Sequence, residues 1–180
     1  MTLALIPLDA FDDLDDADAM HRETMALFAS ADLPGDTGSK RSGANVLWRI
    51  ERSGVLVSAD IDATDLPDGS QILPARPEPE SGDRVMFALT ADATVRRDGV
   101  ARPASDIDFW LGTRVGDALE GIDVQWTNSR SVRRRGAALE QVTIVGTATV
   151  ADVAALTHLL RVGVGRSKTF GCGLLTVRRA

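Results

Sequence analysis

The chain contains one cysteine, two histidines and no tyrosine among its 180 residues. A lone thiol, Cys172, excludes an internal disulfide and any cysteine-rich metal site. His21 and His158 leave almost no room for a histidine metal centre, so neither metal nor other cofactor is expected. No apolar run reaches the length of about 18 residues that a membrane helix needs. Met1 to Leu8 is too short for a signal peptide and has no basic flank, which makes the cytoplasm the expected compartment. Only 7 prolines, with 44% hydrophobic and 26% charged residues, exclude collagen-like and disordered chains. A soluble globular protein with a real core remains.

A net charge of -6 argues at first against nucleic acid, whose phosphates call for clustered Lys and Arg. The average hides an asymmetry. Residues 1–82 carry 16 acids against 6 bases, whereas residues 83–180 carry 10 acids against 14 bases. From Gln125 onward only Glu140 and Asp152 are acidic, so a polyanion would meet the C-terminal third.

The apolar periodicity gives an order of elements. Leu3 to Leu8 reads as a strand, and Asp12 to Phe28 as a helix with Leu14, Ala17, Met20, Thr24, Leu27 and Phe28 on one stripe. Asp12, Asp13, Asp15 and Asp16 crowd its start, where carboxylates cap free N–H groups and complement the helix dipole. Ala29 to Gly43 has the composition of a flexible loop. Asn45 to Arg52 and Val55 to Ile61 form a hairpin through Ser53-Gly54. Asp62 to Ser70 holds at most one helical turn before a short strand from Gln71 to Ala75. Arg76-Pro77-Glu78-Pro79-Glu80-Ser81-Gly82 is a linker, since two prolines among charges do not sit inside a sheet.

The same order then returns. A strand from Arg84 to Val95 precedes a helix from Ser105 to Ala118, started by Ser105 and Asp106. Paired strands follow at Ile122 to Val132 and Leu139 to Val150, then a helix from Asp152 to Val162 and a closing strand from Cys172 to Arg178. The expected fold is α+β, two tandem ferredoxin-like (RRM-like) βαββαβ domains. The first spans residues 1–81 and has a degenerate second helix; the second spans 82–180. Trp48, Trp110 and Trp126 each lie in an apolar pattern and are assigned to the core. His158 is a core-edge or surface residue, and Cys172 a buried, inert one.

Gly163-Val164-Gly165-Arg166-Ser167-Lys168-Thr169-Phe170-Gly171-Cys172-Gly173 carries the most chemical information. Its glycines let backbone N–H groups approach a phosphate closely, and Arg166 and Lys168 add charge. It is no Walker loop, because it follows a helix and lacks the terminal GK[ST]. A helix C-cap at Gly163 and a glycine bulge before the last strand is the competing reading. A second basic segment, Arg130, Arg133, Arg134 and Arg135, has no acid nearby in sequence and reads as a hairpin tip suited to the phosphates of a duplex RNA stem.

With Leu174-Leu175, the glycine-rich segment resembles the C-terminal motif of the CasE family, the endoribonucleases of subtype I-E CRISPR systems. Met20-His21-Arg22-Glu23-Thr24-Met25-Ala26-Leu27-Phe28 is similar to that family's first helix, with a histidine ahead of Leu-Phe. Gly82-Asp83-Arg84-Val85-Met86-Phe87-Ala88-Leu89 is similar to the strand that opens its second half. The resemblance implies a tandem ferredoxin-like protein that cuts CRISPR repeat hairpins without a metal, leaving a 2′,3′-cyclic phosphate. It also implies that the protein stays on the crRNA hairpin with the other Cascade subunits. By position His21 matches the catalytic histidine, and the segment near Arg133 matches a stem-contacting region. The glycine-rich loop, with Gly163, Gly165, Arg166, Ser167, Lys168, Gly171 and Gly173, matches the element beside the RNA backbone.

An imidazole suits that chemistry, since RNA cleavage through the 2′-hydroxyl needs one proton removed and one delivered. Arg166 and Lys168 are candidates to stabilise charge on the phosphate, with Ser167 or Thr169 as hydroxyl donors. Asp18, three residues before His21, is placed to favour the imidazolium and thus an acid role. A structural or solvated histidine on a helix edge is the competing reading of His21. Some family members place a tyrosine close to that histidine, and here any such role is lost or moved. Three alternatives therefore stay open: a hairpin-binding Cascade subunit with weak or absent cleavage, another CRISPR protein with ferredoxin-like units, and a small phosphate-ligand enzyme.

Overall fold

The computed structural model describes residues 2–28, 44–60, 66–74 and 79–180. The expected loop at 29–43, residues 62–65 of the degenerate-helix segment and residues 76–78 of the linker lie outside the described residues.

Aspartates set the helix starts. Asp16 accepts the N–H groups of Asp18 and Ala19 at 2.9 and 3.0 Å and so begins α1, Ala17–Ala26. Asp106 caps α2, Ile107–Val115, through the Phe109 N–H, and Asp152 caps α3, Val153–Val162, through that of Ala155. Each is an N-cap acceptor that satisfies a donor the helix cannot pair internally. The helix expected from Asp12 thus starts later: Asp12 to Asp15 precede the cap, which frees their carboxylates for other partners.

Two four-stranded antiparallel sheets carry these helices. In the first, β1 (Thr2–Ile6), β2 (Leu47–Glu51), β3 (Gly54–Ala59) and β4 (Gln71–Ile72) lie in the order β2-β3-β1-β4. In the second, β5 (Arg84–Ala91), β8 (Leu119–Arg134), β9 (Ala137–Val150) and β10 (Leu175–Arg179) lie in the order β10-β5-β9-β8. Both orders put the first strand of the unit beside its third and fourth, the ferredoxin-like arrangement. The expected tandem fold is present.

Three expectations need correction. The strand expected from Arg84 to Val95 ends at Ala91, and β6 (Thr94–Arg97) pairs instead with β7 (Val100–Pro103) as a separate hairpin. The closing strand starts at Leu175 rather than Cys172. Trp48 and Trp110 are buried as expected, but Trp126 is 52% exposed. The cause is a bulge in β8. Val124 pairs with Gly146 and Trp126 with Val145, so Gln125 is an extra residue. It turns the tryptophan away from the face on which Ile144 and Ala148 are buried.

The halves are fastened by a buried arginine. Arg49 of β2, 6% exposed, donates to the carbonyls of Ala88 and Leu174 at 2.9 and 3.2 Å and to the Thr176 hydroxyl at 3.0 Å. Glu51 accepts from the same guanidinium at 2.9 and 2.5 Å, so the charge is compensated as burial requires. Leu47, Leu56 and Leu174 form an apolar cluster across the same junction.

Candidate nucleic-acid interface

The hairpin of β8 and β9 is long enough to reach back to the first half. Its tip lies along the start of α1, where the Arg133 N–H donates to the Asp15 carbonyl at 2.8 Å. The arginines meet the aspartates that precede the helix. Arg130 bonds the Asp15 carboxylate at 2.5 Å and the Leu14 carbonyl at 2.8 Å, and Arg133 bonds the Asp13 carboxylate. The Arg135 N–H donates to Asp18 at 2.7 Å, and its guanidinium stands 3.7 Å from the same carboxylate. The cluster expected to lack nearby acids therefore has three, brought from more than a hundred residues away. The hydrogen bond and charge of Arg130 hold the Asp15 carboxyl below its ordinary range, and the Ala19 N–H does the same for Asp16. These pairs stay at the surface: the side chains of Arg133 and Arg135 are 67% and 76% exposed. Asp15, Asp16 and Asp18 and the hairpin tip, from Ser131 to Ala138, together line an open cleft of about 720 Å³.

Below the ion pairs lies a small core of Ala17, Val132, Leu139 and Phe170. Phe170 belongs to a single 3-10 turn, Lys168–Phe170, inside the glycine-rich segment. Its carbonyl accepts the Gln141 amide at 2.6 Å. Arg134 stacks on its ring, with the guanidinium carbon 4.3 Å from the centroid. The His21 imidazole meets the same ring edge-to-face, at 6.4 Å between centroids. One ring thus gathers the histidine of α1, an arginine of the hairpin and the glycine-rich loop.

The loop is shaped by what glycine permits. Gly163 ends α3 with φ of 77°, its N–H on the Leu159 carbonyl at 2.9 Å, so the C-cap reading holds here. Gly171 has φ of +78°, and a Cβ there would stand 2.6 Å from the Trp48 ring. Gly165 and Gly173 complete the turn, and the Gly173 carbonyl accepts the Val164 N–H at 2.9 Å. Two polar side chains of the loop point inward. Lys168 donates to the Val162 carbonyl at 2.7 Å, where a cation complements the end of α3. Ser167 donates its hydroxyl to Asp92 at 2.7 Å. Arg166, 47% exposed, stands 3.8 Å from that carboxylate. Cys172 is fully buried, and burial with the nearby Asp92 charge pushes its thiol up to about 12. His158 lies exposed on α3.

Sequence reasoning singled out both His21 and the glycine-rich segment but not Phe170, Gln141 or Asp92, whose roles depend on partners far along the chain. Among the described residues no cluster of His, Cys, Asp and Glu is placed to hold a metal ion, and no helix is long and apolar enough to cross a membrane.

The chain is similar over nearly its full length to solved RNA-bound structures. One, described as CRISPR endoribonuclease Cse3 bound to 19 nt RNA, is 25% identical with a TM-score of 0.74, covering 99% of this chain and 100% of that one. Cse3 of Thermus thermophilus, bound to an RNA representing a pre-cleavage complex, is also 25% identical with a TM-score of 0.74, at 98% coverage of both chains. The Escherichia coli K-12 CRISPR-associated protein Cas6e shares the fold at 18% identity, with a TM-score of 0.67 and complete coverage of both. No curated protein sequence matches. The family model described as CRISPR associated protein matches residues 2–179, and the chain therefore belongs to that family, with the CasE-type proteins its motifs resemble.

Proposed function

We propose that the protein is a metal-independent endoribonuclease that cuts the repeat hairpin of CRISPR precursor RNA and remains on the crRNA as a Cascade subunit. The meeting of His21 and Arg134 on the Phe170 ring carries this reading. It puts a proton-transfer group and a permanent cation on one surface, beside a loop rich in glycine. Cleavage through the RNA's own 2′-hydroxyl then needs few parts. The 2′-oxygen loses its proton and attacks the adjacent phosphorus, the bond to the 5′-oxygen breaks, and that oxygen takes up a proton. His21 serves as the acid or base, a role that contributes roughly 10²- to 10⁴-fold. Arg134 and the loop cation Arg166 offset the negative charge that gathers on the phosphate, while Lys168 holds the loop to the end of α3. The products are a 2′,3′-cyclic phosphate and a 5′-hydroxyl.

Arg130, Arg133 and Arg135 hold the stem. Exposed ion pairs contribute little net stability, so stem phosphates can replace the carboxylates of Asp13, Asp15 and Asp18. The similarity to RNA-bound Cse3 supports RNA as the substrate. Incubation with the host repeat RNA in EDTA tests the reading. Cleavage that yields a cyclic phosphate, and that stops when the cut-site 2′-hydroxyl is replaced by hydrogen, is expected. Tight binding without cleavage would instead make the protein a passive hairpin-binding subunit. Cleavage only with added divalent metal would contradict the mechanism.

A further inference from the structure

Asp92 follows the last residue of β5 and is 7% exposed, flanked by the buried Ala91 and Ala93. A carboxylate in such surroundings has to be met by donors. The Thr94 hydroxyl donates at 2.9 Å and the Ser167 hydroxyl at 2.7 Å, while the Arg166 guanidinium stands 3.8 Å away. Two of these three partners belong to the glycine-rich loop, more than seventy residues further on.

Ser167 is where the loop most needs holding. Its φ is +55°, in the left-handed region that side chains other than glycine adopt at a cost. From that conformation its carbonyl accepts the Phe170 N–H at 2.9 Å and closes the turn that carries the ring. The ring in turn faces His21 and Arg134. The chain of contacts therefore runs from Asp92 through Ser167 and Phe170 to the histidine.

The geometry points to Asp92 as a positioning residue for RNA cleavage, one that fixes Ser167, and through it Phe170, against His21 while orienting Arg166 toward the substrate. The inference rests on the proposed endoribonuclease reading and adds to it a residue that touches no reacting atom. It also assigns the Ser167 hydroxyl to the loop rather than to the phosphate.

Three substituted chains test this: Asp92→Asn, which keeps the shape but loses the charge, Ser167→Ala, and the double variant. Single-turnover cleavage at saturating protein should fall by roughly ten- to a hundredfold in Asp92→Asn, the loss that misplacing a catalytic group produces. The dissociation constant for the RNA hairpin should change far less, and the double variant should be no slower than the slower single one, because both act through the same bond. Native-state amide exchange supplies a readout independent of activity. The Phe170 N–H should exchange faster by about an order of magnitude in Asp92→Asn, while the Trp110 N–H in α2 keeps its protection. Unchanged exchange at Phe170, equal loss of protection at both amides, or multiplying rate effects would overturn the inference. If Asp92→Asn fails to fold, Ser167→Ala carries the same exchange comparison. A wild-type protein that does not cleave would refute the endoribonuclease reading, while the exchange data would still decide whether Asp92 sets the loop.

Discussion

The guanidinium of Arg134 lies on the face of the Phe170 ring, 4.3 Å from its centroid, and this contact ties the basic hairpin to the glycine-rich loop. A cation over an aromatic face is attracted by the ring quadrupole, by about 0.5–2 kcal/mol depending on desolvation. The same ring borders His21, so its loss should disturb chemistry more than folding. Phe170→Leu keeps an apolar side chain beside Ala17, Val132 and Leu139 but removes the ring. It should cost about 1–3 kcal/mol in denaturant unfolding, from the smaller volume and the lost cation contact. Cleavage at saturating RNA should fall by about tenfold or more. A rate loss no larger than the loss of RNA affinity would count against the arrangement.

The ion pairs between α1 and the hairpin predict an unusual gain. Asp13 and Asp15 occupy the arginines that stem phosphates would take. Replacing both by Asn should therefore tighten hairpin binding, most clearly at low salt where exposed charges are least screened. Arg133→Ala should do the reverse and lower the slope of log affinity against log salt by about 1. Titration of labelled repeat RNA at several salt concentrations measures both. Weaker binding by the Asp13→Asn, Asp15→Asn double variant would mean that the aspartates hold the hairpin in its docking pose.

Acid should loosen the junction between the halves at Asp60. Burial there opposes ionisation, but hydrogen bonds from Asn45 and Arg161, both at 2.6 Å, outweigh it and leave the carboxyl below its ordinary 3.8. A carboxyl depressed on folding contributes stability that is fully present above 3.8 and lost as pH falls through its folded value. Thermal midpoints should therefore drop below pH 3.8, and Asp60→Asn should flatten that part of the profile. A profile unchanged by the substitution would remove Asp60 from the acid response.

Local signals were the readable part of this sequence. Asp106 and Asp152 mark helix starts because a cap acts within three residues, whereas four aspartates before the first helix placed its start at Asp12 instead of after Asp16; the repeated strand and helix order follows from periodicity. Rules that depend on distant partners were not readable. The period-2 pattern of Ile122, Val124 and Trp126 points all three inward, yet one extra residue, Gln125, reverses the last. Nothing in the run Arg130 to Arg135 announces Asp13, Asp15 and Asp18, which lie 115 to 120 residues earlier. His21 and the glycine-rich segment were both in view, but the meeting of the histidine with Phe170 depends on the first half packing its helix against the hairpin of the second.

The most direct test of the central claim is single-turnover cleavage of the repeat hairpin in EDTA by wild type and His21→Ala, with RNA binding measured on the same samples. The structure predicts that His21→Ala binds the hairpin as wild type does while its cleavage rate falls by roughly 10²- to 10⁴-fold. Cleavage at the wild-type rate would contradict the role of His21. Loss of binding in step with cleavage would contradict its assignment as a proton-transfer group.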